Sequence, residues 1–401
     1  MLAEDYLYSL YDFEKEKSER RKKKAFTLER VHTILDALEL KDLNYSKVIH
    51  IAGTKGKGST LQYLKHCFLK KKQNVGLFTS PHLISVHERI QINFESIPDG
   101  KMLDYAKRVY EKSCELLDEK LSFFETLFLI ALLHFKSEGV DYILLETGLG
   151  GRLDATNCCA PDLVLLSKID YDHCEILGDT LDKIAGEKAG IIKEKIPVLA
   201  IQQEGVVNDV FMKKASEKNA PITFIESNTE LLPLGKAENI KLALRAYQNF
   251  YQNESCVELR KDLEDLTLYG RYQLIERDLD SLFLDSCHNE ISIRQCVDYL
   301  KTLNREMEVC FAMTESREPK DLLKPLVELN AEYIFAPIPA DRPGVSPKLL
   351  SEVMGDLTDK NVNYVENIKE LKDWLSKPSE KLKVIIGSFY LVGEVLKGLT
   401  K

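Results

Sequence analysis

The sequence predicts an α/β protein in which a large domain with a mostly parallel sheet is followed by a smaller, Rossmann-like α/β domain. Short aliphatic runs alternate with longer amphipathic segments along most of the chain, which is the pattern of β-α-β units. A polar, charged stretch after residue 250 interrupts this alternation before it resumes. We therefore predict two domains, over residues 1–262 and 263–401, and the 44% apolar content is sufficient for two cores.

The predicted strands are short, and the segments between them are long enough for helices. The region before the first strand has apolar residues at three- and four-residue intervals and is predicted to be helical. Residues 122–135, SFFETLFLIALLHF, are apolar almost all round and predict a helix buried against the sheet. The strands are expected at residues 48–52, 75–78, 142–145, 163–166, 198–201 and 222–225, and in the second domain at 282–285, 309–313, 333–337 and 384–387.

Charge and composition exclude several classes of protein. The net charge is −9 and basic residues are spread along the chain, so a nucleic acid or an anionic membrane is not expected as the main partner. No stretch approaches the roughly 20 apolar residues of a membrane span, and the N-terminus lacks a secretory signal, so we expect a cytoplasmic location. The nine cysteines show no ligand spacing and are predicted to be reduced.

A glycine-rich loop, GTKGKGS at residues 53–59, lies between a predicted strand and a predicted helix. Gly56 and Gly58 allow backbone amides to approach phosphate oxygens closely, and the start of the helix favours the same anion. Lys57 would reach the terminal phosphates, and the hydroxyl of Ser59 or Thr60 would lie near the nucleotide's metal ion. The spacing is shorter than the common GxxxxGK[ST], but the flanking strand and helix favour a phosphate-binding loop over a flexible turn.

Polar residues follow several other predicted strands, where an open parallel sheet gathers its ligands. Glu146 ends a buried strand and is a natural ligand for nucleotide-bound Mg²⁺, although a helix cap or an ion pair would also explain it. His173 lies in an equivalent loop. Lys188 lies among small and apolar residues, which disfavours its charged form unless the side chain extends to solvent.

These segments, in this order, resemble the folylpolyglutamate synthase and dihydrofolate synthase family of the Mur ligase superfamily. The matching blocks include HIAGTKGKGST, TSPHL, LLETGLGGRLDATN, AGEKAGIIK, GRYQLIE, LDSCHN and GSFYLVGEV, and the resemblance covers residues 5–395. It implies a P-loop Mur-ligase-like domain followed by a Rossmann-like glutamate ligase domain. It also implies that ATP phosphorylates a carboxylate to an acyl phosphate, which the amine of L-glutamate then attacks.

The resemblance implies roles for individual residues. Gly56, Lys57, Gly58 and Ser59 would hold the phosphates of ATP; Ser80, Glu146 and His173 would ligate Mg²⁺; a carbamylated Lys188 would provide a second Mg²⁺ site; Ser122, Leu153, Asp154 and Ala155 would lie near the pterin; and Asn239, Arg271, Asp285 and His288 would contact the nucleotide. Lys57, His173 and Lys188 would be the catalytic residues. Nucleotide contacts from both domains would imply that the domains close during the reaction.

A block in the second predicted domain departs from the family pattern, as does the later DKD element, which has no clear counterpart. Several functions also remain open. The usual DGAHNP reads DSCHNE here, with Ser286, Cys287 and Glu290 replacing Gly, Ala and Pro. The enzyme could make dihydrofolate, extend folates with glutamate, or do both, acting as a monomer on small molecules only. The alternatives are another Mur-type amino-acid ligase, although these usually have an additional N-terminal domain, and a nucleotide-binding regulatory protein without ligase activity.

Overall fold

Two compact units make up the described part of the chain. The computed structural model describes residues 2–9, 27–41, 43, 46–203, 205–226, 233–252, 254–276, 281–315, 318–339 and 343–399. One unit comprises Met1–His82 and Val86–Asp265, and the other comprises Leu83–Ser85 and Leu266–Lys401. The functional domains assigned to residues 1–262 and 263–401 remain a prediction.

A mostly parallel sheet forms the centre of the first unit, as the sequence predicts, and it has eight strands, of which the short β3 and β4 were not predicted. The strand order is β4-β3-β2-β5-β1-β6-β7-β8, and only the β3 and β4 pairings are antiparallel. The six strands predicted from the sequence all form. The strands are β1 (Lys47–Ala52), β2 (Val75–Phe78), β3 (Ile90–Ile92), β4 (Glu95–Ser96), β5 (Tyr142–Glu146), β6 (Leu163–Leu166), β7 (Val198–Ile201) and β8 (Ile222–Ile225).

Helices cover this sheet, so its central strands are buried on both faces. Every residue of β2, β5, β6 and β7 is buried, which explains their continuous apolar runs. The predicted buried helix is α5, which ends at Gly139 in a left-handed conformation. The helices are α1 (Ala3–Ser9), α2 (Glu29–Ala37), α3 (Lys57–Lys70), α4 (Asp99–Leu116), α5 (Phe123–Glu138), α6 (Cys174–Leu177), α7 (Leu181–Ala189), α8 (Val206–Glu217), α9 (Leu234–Phe250) and α10 (Val257–Asp265).

The second unit contains a six-stranded sheet of order β13-β12-β11-β14-β10-β9, in which only β9 is antiparallel to its neighbour. Its four predicted strands form, and the sequence did not predict the short strands β9 and β13. The elements are β9 (Gln273–Ile275), β10 (Leu282–Leu284), α11 (Glu290–Thr302), β11 (Met307–Phe311), α12 (Pro319–Leu323), β12 (Ala331–Phe335), α13 (Pro347–Gly355), β13 (Val362–Tyr364), α14 (Ile368–Ser376), β14 (Leu382–Ile386) and α15 (Phe389–Leu399). None of the helices described has the length and apolarity needed to cross a membrane.

Close packing of β2 against α5 gives a test of the first core. A Cβ added to Gly76 would lie 2.7 Å from the ring of Phe135, so Gly76→Ala should lower the free energy of unfolding by about 1–3 kcal/mol. Gly100→Ala is the matched control, because nothing lies within 4 Å of its added Cβ in helix α4. Urea unfolding should show this control unchanged or slightly stabilised. Equal effects of the two substitutions would contradict the packing.

Candidate active site

The glycine-rich loop connects the end of β1 to the start of α3. Gly56 is the N-cap of α3 and has φ +82°, a left-handed conformation that glycine adopts without strain. A Cβ on Gly56 would lie 2.0 Å from Asn239 Oδ1, and one on Gly58 would lie 3.1 Å from Glu146 Oε2. The first amides of α3 have no carbonyl partner within the helix, so the loop can present them to an anion.

Two lysine side chains meet at a single carbonyl oxygen of this loop. Lys57 Nζ donates to the Gly53 oxygen at 3.0 Å, and Lys188 Nζ donates to the same oxygen at 2.9 Å. Lys188 is only 4% exposed. Burial and, to a smaller extent, the charge of Lys57 lower the pKa of Lys188 to about 7, although Asp172 and Asp154 act in the opposite direction. The loop therefore has a local excess of positive charge.

Glu146, at the end of β5, lies beside the loop. Its Oε2 accepts a hydrogen bond from the Ser80 amide at 3.0 Å, and its Oε1 lies 4.0 Å from Lys57 Nζ. The residue is 4% exposed, so its carboxylate is held in a fixed position. Ser80, Glu146 and Lys57 thus lie together at the carboxyl edge of the sheet. This is the arrangement expected of a metal and phosphate site.

His173 precedes α6 and has a left-handed backbone with φ +50°. Desolvation lowers the pKa of its imidazole, and the positive charges of Lys188 and Lys57 also lower it, opposed by Asp172 and Glu175. A neutral imidazole is the form that can ligate a metal ion.

The loop after β6 fixes the phosphate-binding loop in place, a role that the sequence analysis missed. Ser167 Oγ donates to the Lys55 carbonyl at 2.7 Å, and the Lys55 ammonium lies 3.2 Å from Asp170 Oδ2. The Asp170 amide also donates to Thr54 Oγ1 at 3.0 Å. The motif SKID follows a predicted strand, which is the only signal of this role in the sequence. The residues of the phosphate-binding loop that the motif contacts are more than 100 positions away, so the sequence analysis could not identify them.

A second glycine-rich turn follows Glu146 and includes the predicted pterin-contacting run of Leu153, Asp154 and Ala155. The Asp154 carboxylate accepts hydrogen bonds from the amides of Gly148 and Leu149, both at 2.9 Å. The side chain therefore shapes its own turn. Ser122 has a similar local role, because its side chain and that of Glu125 form a capping box at the start of α5. Contact of these residues with a substrate remains a prediction.

The second unit brings two predicted nucleotide residues, Arg271 and His288, together around an aromatic ring. The Arg271 guanidinium lies 4.7 Å from the ring centroid of Phe389, and the His288 ring lies 5.2 Å from it. Asp285 accepts the amides of Tyr272 and Cys287 at 2.8 and 2.7 Å. Burial raises the pKa of Asp285, whereas the charge of Arg271 lowers it. Phe389 was not among the predicted site residues, although it lies in the block GSFYLVGEV.

Comparison with known families identifies the class of protein that this fold and site define. The family model for the Mur ligase middle domain matches residues 51–273. The chain is therefore a Mur-type ligase, and it uses ATP. The model described as dihydrofolate synthetase, C-terminal domain, matches residues 271–398. Within the Mur ligases, the chain belongs to the folylpolyglutamate synthase and dihydrofolate synthase family.

Individual relatives support this assignment over nearly the whole chain. A dihydrofolate synthase/folylpolyglutamate synthase of Bacillus subtilis is 28% identical over 394 residues, covering 88% of this chain and 90% of the relative. The crystal structure of a Thermotoga maritima folylpolyglutamate synthase is 26% identical, with a TM-score of 0.83 over 99% of this chain and 96% of that one. A bifunctional synthase from Yersinia pestis, solved with AMPPNP and a manganese ion, is 25% identical, with a TM-score of 0.82 over 100% and 98% of the two chains.

The conformation of Gly56 predicts a specific loss of nucleotide binding. Gly56→Ala places a methyl group against Asn239 and strains a left-handed residue, so affinity for a non-hydrolysable ATP analogue should fall about tenfold or more. Gly139→Ala is the control, because Gly139 has a similar φ of +62° and nothing within 4 Å of an added Cβ. Calorimetric titration should show unchanged affinity in the control. Normal nucleotide binding by the Gly56 variant would contradict this model of the loop.

Burial of Lys188 predicts opposite effects on stability and activity. The pKa of Lys188 is lowered to about 7, so above that pH the unfolded chain binds an additional proton and wild-type stability rises toward pH 10. Lys188→Met should therefore be more stable than wild type at pH 7, by roughly 1–3 kcal/mol, with the difference disappearing toward pH 10. Urea unfolding across this pH range measures the effect.

Lys65→Met is the matched control for this prediction. Lys65, in helix α3, is as buried as Lys188, and burial lowers its pKa to about 8. Its Nζ donates to Gln91 Oε1 at 2.8 Å. Both methionine variants should be stabilised at pH 7, but only Lys188→Met should lose ligase turnover. Retained turnover in Lys188→Met would refute an essential role for this lysine.

Proposed function

We propose that this ligase joins L-glutamate to a pteroyl acceptor at the carboxyl edge of the first sheet, with Lys57, Glu146 and Lys188 at its centre. The observation that supports this most is the meeting of two lysines at the Gly53 carbonyl, with the carboxylate of Glu146 beside the loop. An excess of positive charge next to helix amides that lack carbonyl partners within the helix is suited to the phosphates of ATP. Gly56, Gly58 and Ser59 would supply those amides.

A divalent metal ion fits the oxygen donors of this site. The Glu146 carboxylate is held beside Gly58 and accepts the Ser80 amide. Ser80 would also provide its hydroxyl oxygen as a ligand, and His173 would provide the nitrogen of a neutral imidazole. When bound, the metal would neutralise charge on the phosphoryl group being transferred. Lys57 would hold the terminal phosphates while the acceptor carboxylate attacks the γ-phosphorus and ADP leaves. The amine of L-glutamate would then displace phosphate from the acyl phosphate.

Lys188 is proposed to be carbamylated. Its neutral amine would attack CO₂ and lose a proton, which leaves an anionic carbamate in place of an ammonium group. This change would remove the repulsion with Lys57, whose charge lowers the pKa of Lys188 in the structure. The carbamate oxygens would be ligands for a second metal ion, and the remaining N–H could still donate to the Gly53 carbonyl.

Nucleotide contacts in each unit complete the proposal. Asn239 accepts a hydrogen bond from Thr60 at 3.3 Å and lies against Gly56, so it can contact a nucleotide bound to the loop. In the second unit, Arg271 and His288 lie beside the ring of Phe389, and the charge of Arg271 acts on Asp285. These three residues are proposed to contact ATP. The monomeric state and cytoplasmic location remain predictions.

The choice of acceptor gives the decisive test of function. Purified protein with Mg²⁺, ATP and L-glutamate is offered either dihydropteroate or tetrahydrofolate, and each product is identified by mass. We expect ADP, phosphate and a product extended by glutamate with at least one of them. A product from both acceptors would define a bifunctional enzyme.

Glu146→Gln should reduce either activity about 100-fold or more, because it removes the negative charge of the proposed metal ligand.

Two outcomes would refute the proposal. If neither acceptor gains glutamate but a Mur-type amino-acid substrate does, the acceptor class is wrong. If ATP binds and no acceptor is extended, a nucleotide-binding regulatory protein without ligase activity would replace the proposed function. Glu238→Gln is a matched control for Glu146→Gln, because Glu238 is also buried but forms its 3.6 Å contact with Lys168.

A further inference from the structure

A buried histidine in the central strand is hydrogen-bonded to the second glycine-rich turn. His50 lies in β1, between β5 and β6, and is fully buried. Its Nε2 lies 2.8 Å from Thr156 Oγ1, and that hydroxyl lies 2.5 Å from Asp154 Oδ1. The three side chains form a continuous path from the strand that leads to Gly53 to the turn after Glu146.

The direction of these hydrogen bonds follows from the carboxylate. Burial raises the pKa of Asp154, but the carboxylate receives four donors, namely the amides of Gly148, Leu149 and Thr156 and the Thr156 hydroxyl, and these favour its ionised form. The Thr156 proton therefore points to Asp154, and His50 must donate its Nε2 proton to Thr156. Burial, followed by the charge of Lys193, lowers the pKa of His50 to about 3, so the ring remains neutral.

The turn fixed in this way also packs against the helix of Lys188. The Arg152 amide donates to the Glu187 carbonyl at 2.8 Å. A Cβ added to Gly151 would lie 2.9 Å from the carbonyl oxygens of Glu187 and Lys188. A shift of the turn would therefore move Leu153 and Ala155 and also disturb the backbone that carries Lys188.

We propose that His50 is a positioning residue for the acceptor: through Thr156 and Asp154 it sets the turn of residues 148–155 that holds the pteroyl group. This inference rests on the proposed function of the turn. The competing explanation is that His50 merely fills space in the core. His134 provides the comparison, since it is 4% exposed in α5 and packs beside the rings of Tyr105 and Phe135.

Substitutions at His50 separate positioning from packing. His50→Leu removes the donor, so KM for the acceptor should rise about tenfold while KM for ATP stays within about twofold of wild type. His50→Gln can present an amide N–H near the position of Nε2 and should restore KM for the acceptor substantially. His134→Leu, which also replaces a buried imidazole, should leave both constants unchanged. Equal KM changes for ATP and the acceptor, or no rescue by glutamine, would refute the proposal.

Hydrogen exchange provides a readout that does not depend on activity. Amides in the peptide of residues 147–157 should exchange about tenfold or more faster in His50→Leu than in wild type, and not in His50→Gln or His134→Leu. If the wild type extends no acceptor but this difference appears, the proposed function fails while the link between His50 and the turn holds. If the exchange of this peptide is unchanged, the positioning proposal is wrong, whatever the activity.

A second pair of variants covers the case in which His50→Leu does not fold. Thr156→Val removes the shared hydroxyl with little change in shape, and Thr156→Ser retains it. Thr156→Val should reproduce the rise in acceptor KM and the faster exchange, and Thr156→Ser should not. Where His50→Leu folds, adding it to Thr156→Val should cause no further change, because both residues act through the same path. Additive effects of the two substitutions would overturn the inference.

Discussion

The sharing of the Gly53 carbonyl by Lys57 and Lys188 is the constraint on which the active-site edge of the first unit depends. Two ammonium groups within about 3 Å of one oxygen repel each other, and burial makes the positive charge of Lys188 still less favourable. The arrangement becomes favourable when negative charge arrives from phosphate or from modification of Lys188. Stability in the absence of ligand is thus lowered in favour of ligand binding, as is common at functional sites.

The neighbouring carboxylates offset this charge only in part, because they have other contacts. Asp154 accepts the amides of its own turn, and Asp170 lies against Lys55 and the backbone of the adjoining loop. Glu146 is nearest to Lys57, but at 4.0 Å, and it accepts the Ser80 amide. The carboxylates therefore hold the loops in shape while the phosphate-binding loop keeps its positive potential.

Sequence periodicity was sufficient to predict the parallel strands. It was not sufficient to identify residues whose role depends on contacts with distant parts of the sequence. Strands buried on both faces appear as continuous apolar runs, whereas β9 and β13 are three residues long and partly exposed, and so leave a weaker pattern. Glu146 could be predicted because it ends such a run. His50 could not, because within an apolar strand it resembles any core residue, and its partner Thr156 is 106 residues away. Phe389 likewise resembles an ordinary helix residue.

The altered block in the second unit is compatible with a working ligase. Ser286, in place of glycine, donates its hydroxyl to the Gly270 carbonyl at 2.9 Å, so the larger side chain ties the loop to the segment before Arg271. Burial raises the pKa of the Cys287 thiol, which therefore behaves as a small apolar group beside Asp285. Asp285 still receives the amides that orient it. The altered block thus keeps Asp285 and its loop held by hydrogen bonds, and it gives no structural reason to expect a loss of ligase chemistry.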